Sequence, residues 1–301
     1  MRVGVIGTGV MGWHHARVYR ELGVDLVGVA DTDLKRAEEV ANKYQTRAFT
    51  DYIQLLEQGL DAVSVVVPSR LHSEVAVSVA DYGVNMLVEK PIADTMESGE
   101  KIIDATRKAN IVLMVGHIER FNPAVQKLKQ IIDEGVLGKL ILLSSRRVGP
   151  FVTRVTDIGI TMDVASHDID IARYLTNMEP VEVLAKSSKV KNEKGDCALM
   201  ILDFGLVTAS IEVNWFTPHK VRTLVVTGTD GITYADYIEQ SVTIFNQDWK
   251  MEPKIEKCEP LRMELKHFVE CVEQDKKPLI SGEDGLKTLE IALKIEGSSF
   301  K

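Results

Sequence analysis

Arg2-Val3-Gly4-Val5-Ile6-Gly7-Thr8-Gly9-Val10-Met11-Gly12 stands at the start of the chain and decides how its first half is read. A short apolar run enters a Gly-x-Gly-x-x-Gly string, and a helical pattern follows over residues 12–22. That order predicts a strand, a tight turn and a helix. Gly7 makes the turn, Gly9 lets the backbone approach a pyrophosphate, and Gly12 lets the helix lie close on the sheet. The backbone N–H groups of Thr8, Val10 and Met11 then gather at a helix N-terminus, where the partial positive charge favours a phosphate. Asp31 ends the second apolar run, nineteen residues after Gly12, where a carboxylate accepts from adenosine ribose hydroxyls and repels a 2′-phosphate. This favours NAD over NADP, softened by Lys35 and Arg36 nearby. The competing reading is a glycine turn of another α/β protein, with Asp31 capping the next helix.

Outward from this turn the rhythm persists. Short β-branched runs at 2–6, 26–30, 62–67, 85–88 and 112–115 alternate with helical patterns at 12–22, 33–44, 73–82 and 95–109. Fully apolar strands in strict alternation with helices predict a doubly wound parallel sheet covered on both faces, a Rossmann domain. After Gly116 the alternation stops. A helix over 123–134 is followed by strand candidates at 140–148, 181–189, 197–204, 207–215, 220–228 and 231–236, interrupted by one helix over 163–175. Adjacent strands joined by turns such as Asp203-Phe204-Gly205 predict an α+β domain with a largely antiparallel open sheet. The expected division is a dinucleotide-binding domain over 1–118 and a substrate-binding, catalytic domain over 119–301, closed by helices near 262–274 and 283–295.

Composition narrows the function. Lys and Arg number 36 against 44 Asp and Glu, a net charge of −8. Nucleic acid and anionic membrane surfaces are therefore poor partners. The apolar runs fall far short of the ~20 residues of a membrane helix, and no leader pattern precedes the first strand. Cys197, Cys258 and Cys271 are odd in number and widely spaced, which argues against a disulfide framework or a zinc site and fits a reducing cytoplasm. No metal is expected, since His72, His167 and Asp163 lack close ligand spacing.

Glu89-Lys90-Pro91 follows a strand at what is predicted to be the carboxyl end of the sheet, where open α/β folds bind their ligands. Four stretches together then become specific: Gly7 to Gly12 with His15 beyond, Pro68 with Leu71-His72, Glu89-Lys90-Pro91, and Asp163-x-x-x-His167-x-x-Asp170. In order and spacing the chain resembles the glucose-fructose oxidoreductase and inositol dehydrogenase (Gfo/Idh/MocA) family. The resemblance implies that Lys90, Asp163 and His167 are catalytic. It also places Pro68, His72, Glu89 and Lys90 beside the cofactor, although Val67-Pro68-Ser69 stands where many relatives carry Thr-Pro-Asn.

The residues support this independently. On one α-helix Asp163, His167 and Asp170 share a face and Asp168 points elsewhere. Oxidising a secondary alcohol needs an acid/base, for which His167 oriented by Asp163 is suited. It also needs a cation facing the developing alkoxide, for which Lys90 is suited. The competing reading makes Asp163 a helix cap and His167 its i, i+4 partner.

Gly116-His117-Ile118-Glu119-Arg120-Phe121-Asn122-Pro123, and Arg147-Val148-Gly149-Pro150-Phe151 with Arg154, resemble the nucleotide-sugar dehydrogenases of the family. Guanidinium groups meet phosphate oxygens bidentately. Arg120, Arg147 and Arg154, with Asp163 and His167, are therefore the expected substrate contacts, and the resemblance implies the 3-hydroxyl of UDP-N-acetylglucosamine as the group oxidised. The alternatives are a free monosaccharide or inositol as substrate, and a redox-silent NAD-binding sensor. The resemblance further implies a homodimer or homotetramer formed through the second sheet.

Overall fold

The computed structural model describes residues 1–151 and 159–297. They form two compact units, Met1–Ile118 with Leu261–Lys287, and Glu119–Pro260 with Thr288 onward. The second half of the expected division is thereby corrected. Residues 261–287, assigned from sequence to the second domain, belong to the first unit.

In the first unit β1 (Arg2–Ile6), α1 (Val10–Leu22), β2 (Asp25–Ala30), α2 (Leu34–Tyr44), β3 (Arg47–Phe49), α3 (Tyr52–Leu56), β4 (Ala62–Val65), α4 (His72–Asp81), β5 (Asn85–Glu89), α5 (Met96–Ala109) and β6 (Leu113–Gly116) follow in order. All strands pair in parallel, in the order β3-β2-β1-β4-β5-β6. The order reverses direction between β1 and β4, so the loops after these strands open a crevice at their carboxyl ends. Val3, Val5, Val63, Val65, Met86, Leu87 and Val88 are fully buried, as a sheet covered on both faces requires. Asp33 caps α2 by accepting from the backbone N–H of Lys35 and Arg36, and Thr95 caps α5 through Ser98 N–H.

In the second unit α6 (Pro123–Asp133) and β7 (Leu140–Pro150) precede a π turn over Thr161–Ala165 and α7 (Ser166–Thr176). Then come β8 (Glu182–Ser188), β9 (Cys197–Asp203), β10 (Thr208–Asn214), β11 (Phe216–Gly228), β12 (Ile232–Asp236), β13 (Ser241–Phe245) and β14 (Lys250–Met251). The sheet runs β14-β13-β12-β11-β7-β10-β9-β8, antiparallel except where β7 and β10 pair in parallel. Helices α6 and α7 pack on one face, over Ala198, Met200, Ile211, Val213 and Leu224. The other face carries exposed Leu142, Leu184, Leu199, Ile201, Tyr234 and Phe245.

The last helices are α8 (Pro260–Glu273) and α9 (Gly282–Gly297). Within the first unit Ile280 accepts from the backbone N–H of Val115, and Gly282 and Gly285 lie against Leu113 and Val115 of β6. Among the described residues no helix is long and apolar enough to cross a membrane.

Candidate functional site

The glycine turn fits a dinucleotide backbone for three local reasons. Gly7 has φ +96°, and a Cβ there would lie 2.5 Å from the Val66 carbonyl oxygen. A Cβ on Gly12 would lie 1.8 Å from the Gly7 oxygen, so only glycine lets α1 rest on the turn. A Cβ on Gly9 would meet no atom within 4 Å. Gly9 also begins α1 without any side-chain cap, so no capping side chain competes for the first-turn N–H groups.

Asp31 closes this cradle. Its Oδ2 accepts from the Thr8 N–H at 2.8 Å and the Thr8 hydroxyl at 2.9 Å, and its Oδ1 accepts from Asp33 N–H at 2.9 Å. Helix capping therefore falls to Asp33, which also holds Arg36 at 3.2 Å. The competing reading of Asp31 as the cap does not describe this chain.

At the ends of β4 and β5, two residues expected beside the cofactor turn inward. The His72 ring is buried, with Nδ1 2.9 Å from the Pro91 carbonyl oxygen and Nε2 2.8 Å from that of Val67. Burial holds its pKa below the usual histidine value, against the pull of these carbonyls. His72 is thus a staple between the loops that carry Pro68 and Lys90. Glu89 is likewise buried, its Oε1 3.0 Å from His15 Nε2 and its Oε2 accepting the Lys90 N–H at 3.1 Å. Burial alone raises a carboxyl pKa, but the hydrogen bond with His15, the charge of Lys90 and the Lys90 backbone N–H outweigh it and lower that of Glu89. Lys90 itself stays half-buried. His15 Nδ1 is 2.9 Å from Ser64 Oγ, which is 2.7 Å from the Tyr19 hydroxyl. Sequence reading missed Ser64 and Tyr19. The available signal was a lone serine inside the otherwise apolar β4.

In the second unit the helix predicted over 163–175 is corrected. Asp163 lies in the π turn and α7 starts only at Ser166, so plain α-spacing does not relate Asp163 to His167. Such π insertions are frequent at functional sites. Asp163 and His167 are both half-buried. Asp170, expected on their face, is 1% exposed and accepts from Arg120 Nε at 2.8 Å and Nη2 at 2.7 Å. Asp168 turns to β7, where it accepts from Ser145 and Arg147.

Arg120 and Arg147 are corrected with them. Both are 4% exposed. Arg147 donates to Glu119 at 2.7 Å as well as to Asp168, and Glu119 also accepts from Asn122 at 3.1 Å. Guanidiniums already paired with buried carboxylates are not set to clamp a diphosphate. Arg154, the third expected contact, lies outside the described residues. Arg222 instead reaches Glu119 at 3.5 Å with its side chain 42% exposed. Burial and the neighbouring Arg147 lower its pKa. Trp215, buried, meets the Phe151 ring edge-on at 5.7 Å.

Comparison with known proteins agrees with the two-part fold. Residues 1–117 match a family described as an oxidoreductase family with an NAD-binding Rossmann fold, and residues 125–234 match the GFO/IDH/MocA C-terminal domain. A UDP-N-acetylglucosamine 3-dehydrogenase of Acidithiobacillus ferrooxidans is 31% identical over 98% of this chain and 96% of its own length. A scyllo-inositol 2-dehydrogenase (NAD(+)) of Bacillus subtilis is 30% identical over 97% of this chain and 92% of its own. A solved structure of the Acidithiobacillus enzyme superposes with a TM-score of 0.93 at 30% identity, over 99% of this chain and 97% of that one. With matches spanning both units, the chain belongs to the GFO/IDH/MocA family and is an NAD(P)-dependent oxidoreductase acting on CH–OH groups.

Proposed function

We propose that the chain is an NAD-dependent dehydrogenase of a nucleotide sugar, oxidising the 3-hydroxyl of UDP-N-acetylglucosamine. The carrying observation is full-length similarity to an enzyme of that name in a chain that carries Lys90, Asp163 and His167. Oxidation of the alcohol releases one hydride and one proton. The bound cofactor supplies the hydride acceptor. His167 takes the hydroxyl proton, an acid/base role to which an imidazole is suited. Asp163 orients the ring, and the Lys90 ammonium stabilises negative charge growing on the oxygen. Gly9 and the N-terminus of α1, from Val10 to Gly12, receive the pyrophosphate, and Asp31 the adenosine ribose.

A second reading, a free sugar or inositol as substrate, draws on one specific observation. Arg120 and Arg147 are spent on carboxylates, which leaves Arg222 and Arg154 as the diphosphate contacts in our reading. A neutral polyol needs neither. Reducing conditions and a homo-oligomer complete the proposal: all three cysteines are free thiols, and the second sheet has a bare apolar face.

The test is NADH formation with UDP-N-acetylglucosamine, scyllo-inositol, myo-inositol and free N-acetylglucosamine. The highest kcat/KM is expected with the nucleotide sugar, and a preference for inositol selects the second reading. Lys90→Met and His167→Ala are each expected to lower kcat about 10²- to 10⁴-fold while NADH still binds. NADH binding without turnover of any substrate in the unmodified chain would identify a sensor.

A further inference from the structure

Beneath Lys90 runs a chain of polar side chains that the proposed reaction does not use. Tyr19 and His15 project from α1, Ser64 lies in the middle of β4, and Glu89 ends β5. Tyr19, His15 and Ser64 are fully buried. A buried hydroxyl, imidazole or carboxylate left without a partner costs about 1–3 kcal/mol, and here each finds the next at 2.7, 2.9 and 3.0 Å.

Counting protons gives the chain a direction. An ionised Glu89 is acceptor only, so Oε1 takes the His15 Nε2–H and Oε2 takes the Lys90 backbone N–H. A neutral ring protonated at Nε2 accepts at Nδ1, which the Ser64 hydroxyl satisfies by donating. Ser64 then accepts from Tyr19. Burial raises the Tyr19 pKa, so this last group remains a hydroxyl donor. The charged groups bearing on the chain are Lys90 and Glu89 at one end and Glu264 of α8 at the other. All donors point towards Glu89, whose second oxygen holds the residue that carries the ammonium.

We propose that Tyr19, Ser64 and His15 form a directional hydrogen-bond relay that fixes Glu89 and through it the backbone of Lys90, making His15 a positioning residue for alcohol oxidation. The proposal rests on the reading of Lys90 as catalytic. Apolar strand-end residues would have covered the sheet equally well. The relay instead ties one rotamer of Glu89 to α1, the helix that receives the cofactor phosphates in that reading.

The test measures kcat, KM and NADH affinity for His15→Ala, His15→Gln and Ser64→Ala, beside Lys90→Met. A displacement of about 1 Å at a reacting group costs about 10²-fold. His15→Ala is therefore expected to lower kcat 10- to 100-fold (~) with KM and NADH affinity nearly unchanged. His15→Gln, which restores an N–H donor, should recover most of the loss. In a Lys90→Met background His15→Ala should cost nothing further in single-turnover rate.

Loss of rate in Lys90→Met with none in His15→Ala overturns the relay alone. An unchanged Lys90→Met overturns the reading beneath it and the relay too. Nitrogen NMR of the unmodified protein supplies a readout that needs no variant to fold or turn over. A His15 ring protonated at Nε2 and accepting at Nδ1 is expected, and an Nδ1-protonated tautomer overturns the proposal.

Discussion

Arg147 is 4% exposed, with Glu119 and Asp168 on its guanidinium and the Tyr237 ring centroid 5.3 Å away. Breaking such a cluster leaves charges buried without a partner, so Arg147→Ala is expected to cost about 3–5 kcal/mol in urea denaturation at pH 7. Burial raises the Glu119 pKa, but the charge and hydrogen bond of Arg147 with the charge of Arg222 outweigh it, and the carboxyl sits below its usual range. Its contribution is complete above the unfolded value of ~4.3 and is lost as pH falls through the lower folded value. Glu119→Gln should therefore narrow the gap to the unmodified protein as the pH drops below ~4. An unchanged urea midpoint in Arg147→Ala, with a raised KM, would return this arginine to substrate contact. Nothing local in the sequence revealed these pairings. Glu119 and Asp168 lie 28 and 21 residues from Arg147, and Asp170 lies 50 from Arg120, and an arginine awaiting phosphate has the same letter as one clamped by carboxylates.

The β1, α1 and β2 segment was legible almost to the residue, because each requirement is short-range: a glycine for positive φ, another for close approach, an acid at a strand end. The structure adds the grip of Thr8 on Asp31, which keeps a carboxylate pointed at the cradle. NADH is expected to bind more tightly than NADPH in fluorescence titration, and Asp31→Ser to shrink that difference by about 1 kcal/mol or more. Tighter NADPH binding by the unmodified chain would overturn the assignment. Less was legible elsewhere. β3, α3, β13 and β14 span only two to five residues each, too few for periodicity to register. The π turn before α7 escaped because it inserts its extra residue without breaking the helical apolar pattern.

Across the eight-stranded sheet the register aligns Leu184 with Ile201, Ile201 with Ser210, Ser210 with Ser144, Ser144 with Val225, and Val225 with Tyr234. This row lies on the face opposite α6 and α7, flanked by Leu142, Leu199 and Phe245. Apolar surface of this extent is rarely left in water by a stable chain, and a second copy presents the same face. Sedimentation should therefore show a dimer or tetramer. Ile201→Glu is expected to shift it to monomer with the fold intact, and a monomeric unmodified protein would end this proposal.

The change of fold class after Gly116 was visible as a change of period. The return of residues 261–287 to the first unit was not, because it rests on contacts made more than 150 residues apart in the chain. That return governs how the protein can be made. β6 is an edge strand, and its protection comes from Ile280, Gly282 and Gly285, which leave the ribosome long after it. Until they arrive, the nascent nucleotide-binding lobe has an unguarded β-edge, and a gene fragment stopping at residue 118 would encode that vulnerable intermediate instead of a self-sufficient module.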